Sequence, residues 1–162
     1  INVAEGLKFV SPKGFSRIND PKKITFTKDK IRLDIESFSV PVQAVSSAMP
    51  TMMGKQMLGD QYVKSLVDVN KATIERYETH IIDGSVMFYV AGTMKNPEVA
   101  DTNTAETVTF GATIILGNNG NVGVARMIAP ISTVLTTPEL IDILDGFKLT
   151  NSLNINNSSQ VL

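Results

Sequence analysis

The residues here that could carry out chemistry are few and scattered. His80 is the sole histidine in the chain. One imidazole could act as a general base, but no nucleophile stands near it in sequence. One imidazole also cannot supply the three or four ligands that a zinc site needs. Strand alternation puts Glu78 and Ile82 on its side and Thr79 and Ile81 on the other, so we read His80 as an ordinary strand residue. There is no cysteine, which excludes disulfides, thiolate catalysis and cysteine-ligated zinc.

The densest group of reactive side chains is thioether. Met49, Met52, Met53 and Met57 place four of the seven methionines in one short stretch. Soft thioethers can ligate Cu(I). They are also flexible and polarizable, and can grip varied apolar partners or fill gaps in a core. Packing beneath the sheet or beside the first helix, a surface for an apolar protein partner, and a Met-ligated copper carrier therefore all remain open. The four methionines are the candidate partner-binding residues. No catalytic residue, metal ligand or cofactor is assigned.

Other motifs dissolve on inspection. Gly117-Asn118-Asn119-Gly120-Asn121-Val122-Gly123 has the wrong spacing for a dinucleotide loop, and a strand follows it where a helix is required. Glu98, Asp101 and Glu106 make an acidic loop without the central glycine of a calcium loop; it reads as solvated, or as a partner contact. Lys13, Arg17, Lys22 and Lys23 are loosely grouped around Asp20 and read as a solvated surface. Asn156-Asn157-Ser158 fits a glycosylation acceptor, a cheap match in an Asn/Ser-rich tail.

Bulk properties narrow the class. At 162 residues, 43% hydrophobic and 19% charged, the chain is a globular domain large enough to hold a core without metal or disulfide. A net charge of −1 with no basic run argues against nucleic acid as the main partner. The apolar runs are too short for a membrane span. Ile1 in place of Met leads us to expect a processed or trimmed N-terminus, and any lipid anchor would lie upstream.

The elements that must position these residues follow from pattern. Leu7 to Val10, Lys23 to Thr27 and Ile31 to Phe38 predict three strands in a meander, with a polar turn at Lys28-Asp29-Lys30. Tyr62, Val63, Leu66 and Val67 have helical spacing, and Asp60 is placed to cap that helix. Asp83-Gly84 between alternating runs predicts a hairpin of Tyr77–Ile82 with Val86–Thr93. Gly117 to Gly120 predicts a second hairpin of Thr107–Leu116 with Val122–Ile131. Thr136-Thr137-Pro138-Glu139 supplies a cap hydroxyl, an early proline and a carboxylate at the positive helix end. Leu140, Ile141, Ile143, Leu144 and Phe147 would then form the apolar face of a closing helix. Residues 1–150 are expected to be one domain and 151–162 a flexible polar tail.

This predicts an α+β fold: an antiparallel sheet of six to seven strands flanked by helices. The order resembles the α-β-α sandwich of the PsbP-like proteins, shared with a Ran-binding nuclear import factor and the bacterial DcrB-like proteins. Lys8-Phe9-Val10-Ser11-Pro12-Lys13-Gly14-Phe15 is similar to the family's opening strand. The helix from Asp60, the two hairpins, and the stretch Ile143-Leu144-Asp145-Gly146-Phe147-Lys148-Leu149 continue the likeness over residues 5–150. The stretch from Gln43 to Leu58 is longer and richer in Met than the resemblance implies. The DcrB-like group fits best in size. The resemblance implies an exported, non-enzymatic protein of the bacterial envelope, periplasmic or lipid-anchored, with a protein partner. A structural subunit of an extracellular or secretion assembly is the alternative.

Overall fold

The computed structural model describes residues 1–39, 51–82, 85–116 and 120–150. Ten strands and two helices are defined there. They are β1 (Asn2–Ala4), β2 (Leu7–Phe9), β3 (Ser16–Arg17), β4 (Ile24–Lys28), β5 (Ile31–Ser39), α1 (Thr51–Asn70), β6 (Thr73–Ile82), β7 (Ser85–Lys95), β8 (Thr107–Leu116), β9 (Asn121–Pro130), α2 (Thr137–Leu144) and β10 (Phe147–Leu149). Seven strands form one antiparallel sheet in the order β3-β4-β5-β9-β8-β7-β6. β1, β2 and β10 form a second, small sheet.

The large sheet separates two cores, because its central strands are apolar on both faces. On one face Phe88, Val90, Phe110, Ile114, Val122 and Val124 pack beneath Leu66 of α1, with Leu58, Tyr62 and Val63 of the same helix around them. On the other, Leu33, Ile35, Met87, Ala125 and Met127 meet Leu140, Ile143 and Leu144 of α2, together with Phe9 and Phe147 of the small sheet. The result is the expected sandwich, with helices on both faces of a sheet of seven strands. The Thr113 hydroxyl donates to the Leu144 carbonyl at 3.1 Å, which satisfies one of the carbonyls left open where α2 ends.

The two hairpins form as the turn signals predict, with Ile82 opposite Ser85 and Leu116 opposite Val122. The α2 cap is also as read: Thr136 Oγ1 accepts from the Glu139 amide at 3.3 Å and Glu139 returns a carboxylate to Thr136. Its hydrogen bonds to Thr136 lower the Glu139 pKa.

Three readings need correction. The first long helix starts at Thr51, so Asp60 lies inside it and Thr51 to Leu58 of the Met-rich stretch are helical. Asp60 is occupied elsewhere: its Oδ1 accepts from Tyr77 Oη at 2.8 Å and from Gln56 Nε2 at 3.0 Å. Next to it, Gly59 is a place only glycine fits, because a Cβ there would stand 2.5 Å from Tyr77 Oη and 2.9 Å from the Phe88 ring. The helix presses on β6 and β7 at that point.

Second, the predicted meander of Leu7–Val10 with Lys23–Thr27 and Ile31–Phe38 does not form; the outer neighbour of β4 is the short β3. β4 and β5 pair around Asp29, which adopts φ 54°, whereas β2 leaves them to pair with β1 and β10. Third, Phe147 is not helical. The helix ends at Leu144, and Phe147, Lys148 and Leu149 pair with Phe9, Lys8 and Leu7. Phe147 still fills the core, edge-on to Phe9 with ring centroids 5.1 Å apart.

Candidate functional site: a charged cleft beside an open strand edge

The period-2 pattern of β5 builds the site. Ile31, Leu33 and Ile35 turn towards α2. Arg32, Asp34, Glu36 and Phe38 therefore turn to the face that carries α1. Arg126 of β9, register partner of Asp34, lies among them. This part of the face extends past the helix, and a cleft of about 560 Å³ opens there, lined by Lys22, Lys23, Asp34, Glu36, Phe38 and Arg126 among others.

Asp34 is the centre of its floor. It is 6% exposed. Its Oδ1 accepts from Thr25 Oγ1 at 2.7 Å, and Arg32 Nε donates to both carboxylate oxygens at 3.1 Å. Arg32 also reaches Glu98 Oε1 at 3.5 Å. The hydrogen bond to Asp34 raises the Arg32 pKa, outweighing burial, and Glu98 and Asp20 add to it. Arg126 Nη2 stands at 3.8 Å from Asp34. Its Nε is buried and has no acceptor among the described residues. A buried donor left so costs free energy unless a partner arrives. Tyr62 of α1 interacts electrostatically with two residues of the cleft, Arg126 and Glu36. Burial pushes its phenol up to about 12, against the pull of Arg126 and with Glu36 adding.

Beside this floor, part of β5 has an edge that no strand pairs among the described residues. β4 pairs with Ile31–Ile35 only, so among the described residues Glu36–Ser39 have a strand partner in β9 alone, and the Ser37 hydroxyl donates to the Val3 carbonyl of β1 at 3.3 Å. The cause is local. Asp20-Pro21-Lys22 forms a turn in which the Lys22 amide donates to Asp20 Oδ1 at 2.8 Å, and the strand begins only at Ile24. Lys28 and Ile31 flank a two-residue turn, so the peptide groups of Ile31, Leu33 and Ile35 face β4. By the same alternation, those of Ser37 and Ser39 face the open edge. Phe38 is 45% exposed there.

The arrangement is suited to holding rather than transforming. Asp34 spends its lone pairs on Thr25 and Arg32, leaving little capacity for general-base work. His80 is on β6, with three strands between it and β5, and is exposed. Among the described residues no three carboxylate, histidine or cysteine groups converge to hold a metal, and no helix is long and apolar enough to cross a membrane.

The sequence candidates are dispersed. Met57 is 46% exposed on α1. Met52 and Met53 occupy its first turn, with side chains outside the described ones, and Met49 is also outside the described residues. Lys22 and Lys23, read as solvated, line the cleft; Lys13 lines a separate cleft of about 280 Å³ with Glu139 and Asp142. Glu98 of the acidic loop joins the site through Arg32. Asp101 instead closes its own turn, accepting from the Asn103 amide at 3.0 Å. The tail 151–162 is outside the described residues. Sequence reading missed Asp34 and Arg126, although a signal was present. Arg32, Asp34 and Glu36 alternate with core residues in β5, and Arg126 interrupts the apolar run of β9.

No protein-family model matches the chain, and no curated protein matches it by sequence. Solved structures do. Cyanobacterial PsbP from Synechocystis matches with a TM-score of 0.58 at 16% identity, over 90% of this chain and 87% of that one. A variant of the protein Mog1 matches with a TM-score of 0.53 at 12% identity, over 92% and 93% of the two chains. The fold is PsbP-like.

Proposed function

We propose that this domain is a non-enzymatic binding module that takes a protein partner. The observation that carries the reading is the β5 edge at Glu36–Ser39, unpaired among the described residues and lying over a cleft whose central carboxylate is already saturated. Unpaired peptide groups beside an exposed phenylalanine are what a partner chain can use, through main-chain hydrogen bonds and an apolar anchor. The likeness to PsbP and Mog1 supplies a fold and is consistent with a scaffold whose surface does the work. Assignment to the DcrB-like group, export to a bacterial envelope, and apolar contact through Met49, Met52, Met53 and Met57 belong to the same proposal.

A photo-reactive phenylalanine analogue at position 38 tests the site in the producing cell. A covalent adduct with one protein at Phe38, and none with the analogue at exposed His80, is the expected result. No adduct at Phe38 would end the reading. Met57→Ser, with Met52→Ser and Met53→Ser, should weaken that adduct while leaving the melting temperature in place. Fractionation of the same cells tests export, and recovery in the cytoplasm would contradict it.

A further inference from the structure

We propose that the segment received at the β5 edge is extended and acidic: a strand of the partner that adds alongside Glu36–Ser39 and sets carboxylates against Lys22, Lys23 and Arg126. This rests on the binding reading above and specifies its partner.

Charge accounting within the cleft points to the acid. Its carboxylates Asp34 and Glu98 are answered by Arg32, and Asp34 also by Thr25 and, at 3.8 Å, by Arg126 Nη2. Lys22 and Lys23 make no ion pair among the described residues, and the buried Arg126 Nε has no acceptor. Against Lys22, Lys23 and the unmet Nε donor of Arg126 stands Glu36. A carboxylate bonded to Arg126 would satisfy its donor, and charge-assisted bonds of this kind are stronger than neutral ones.

Geometry points to the strand. Ser37 and Ser39 present outward peptide groups in the line that β4 would continue if it began earlier. In an added strand alternate residues share a face. Those on the α1 side would meet Phe38, Glu36 and Arg126, and Lys22 and Lys23 would flank the seam. The opposite sheet edge offers no such place. There β6 carries a bulge between Ile74 and Arg76, an Arg76–Glu78 ion pair at 2.5 Å, and a Tyr77 hydroxyl tied to Asp60. Bulges and charges are the usual means of keeping an edge from pairing.

The test uses two blocked peptides, Thr-Glu-Val-Glu-Val-Thr and its Gln-for-Glu counterpart, with the full chain at low salt. Affinity is measured by calorimetry and amide protection by NMR. The acidic peptide should protect the Ser37 and Ser39 amides and bind at least tenfold more tightly, about 1.4 kcal/mol. In Lys22→Gln/Lys23→Gln that advantage should shrink to threefold or less. Ser37→Pro removes an outward-facing donor, as edge positions tolerate, together with the hydroxyl bond to the Val3 carbonyl; it should abolish binding of both peptides, and Ser37→Ala, which loses the hydroxyl bond alone, should bind them as the native chain does. Equal affinity for the two peptides would overturn the acidic assignment and leave the Phe38 adduct standing. Binding without protection at Ser37 and Ser39, or no binding by either peptide, would overturn the strand site. Protection present without peptide that grows with protein concentration would mean that a second copy fills the edge, and would also overturn it.

Discussion

One face of the large sheet has two halves of opposite character. Over β7 and β8, Phe88, Val90, Phe110 and Ile114 are buried beneath α1. Across β9, the same face shows Arg32, Asp34, Glu36 and an exposed Phe38. The backbone is continuous from one half to the other, so the difference lies in the alternate residues of each strand. β8 reads apolar on both faces, whereas β5 reads apolar on one. A helix settles where it can bury apolar surface, and neither described helix covers the charged half. Coverage of a sheet is thus decided strand by strand.

That contrast can be broken by substitution. The largest effect is expected in the covered half: Phe110→Ala removes a fully buried ring and should cost about 3–5 kcal/mol in urea unfolding. Asp34→Ala tests whether the open half is structural as well. It strips Arg32, Arg126 and Thr25 of their shared carboxylate. Because the cleft is open on one side, the expected loss is about 2–3 kcal/mol, below the range for a fully buried pair. A loss under about 0.5 kcal/mol, the scale of an ordinary surface change, would show that the charges there do no packing work. Gly59→Val probes the border that the helix makes with β6 and β7. Overpacking against Tyr77 and Phe88 should cost about 1–3 kcal/mol, and an unchanged midpoint would mean that α1 floats on the sheet. The smallest effect belongs to Lys22→Gln/Lys23→Gln, exposed residues whose replacement should change stability by less than about 0.5 kcal/mol. A larger loss would make them part of the fold and remove them as a clean probe of binding.

The same contrast explains what was legible. The hairpins announced themselves because Asp83-Gly84 and Gly117 to Gly120 are local turn signals, and the α2 cap because Thr136 and Glu139 act within one turn. The start of α1 was hidden. Gly54 and Gly59 argue against a helix by intrinsic preference, and the space that requires Gly59 belongs to Tyr77 and Phe88, far off in sequence. β10 was hidden because Leu140, Ile143, Leu144 and Phe147 keep helical spacing across the helix end, while the pairing that makes Phe147 a strand residue comes from Phe9. At the site, alternation in β5 marked a polar face. That Arg126 would stand across from Asp34, and Glu98 beside Arg32, depended on register and on a loop that no local pattern specifies.

The pairing of β2 with β10 has a kinetic consequence. Residues separated by about 140 positions must meet before the second core can close, and such long closures are entropically costly and slow. The hairpins from β6 to β9 need only their neighbours, so a chain emerging from the ribosome could assemble the middle of its sheet early. Phe9 would then wait, still solvated, until Phe147 had been synthesised. A domain built this way finishes folding late, once its last strand is at hand.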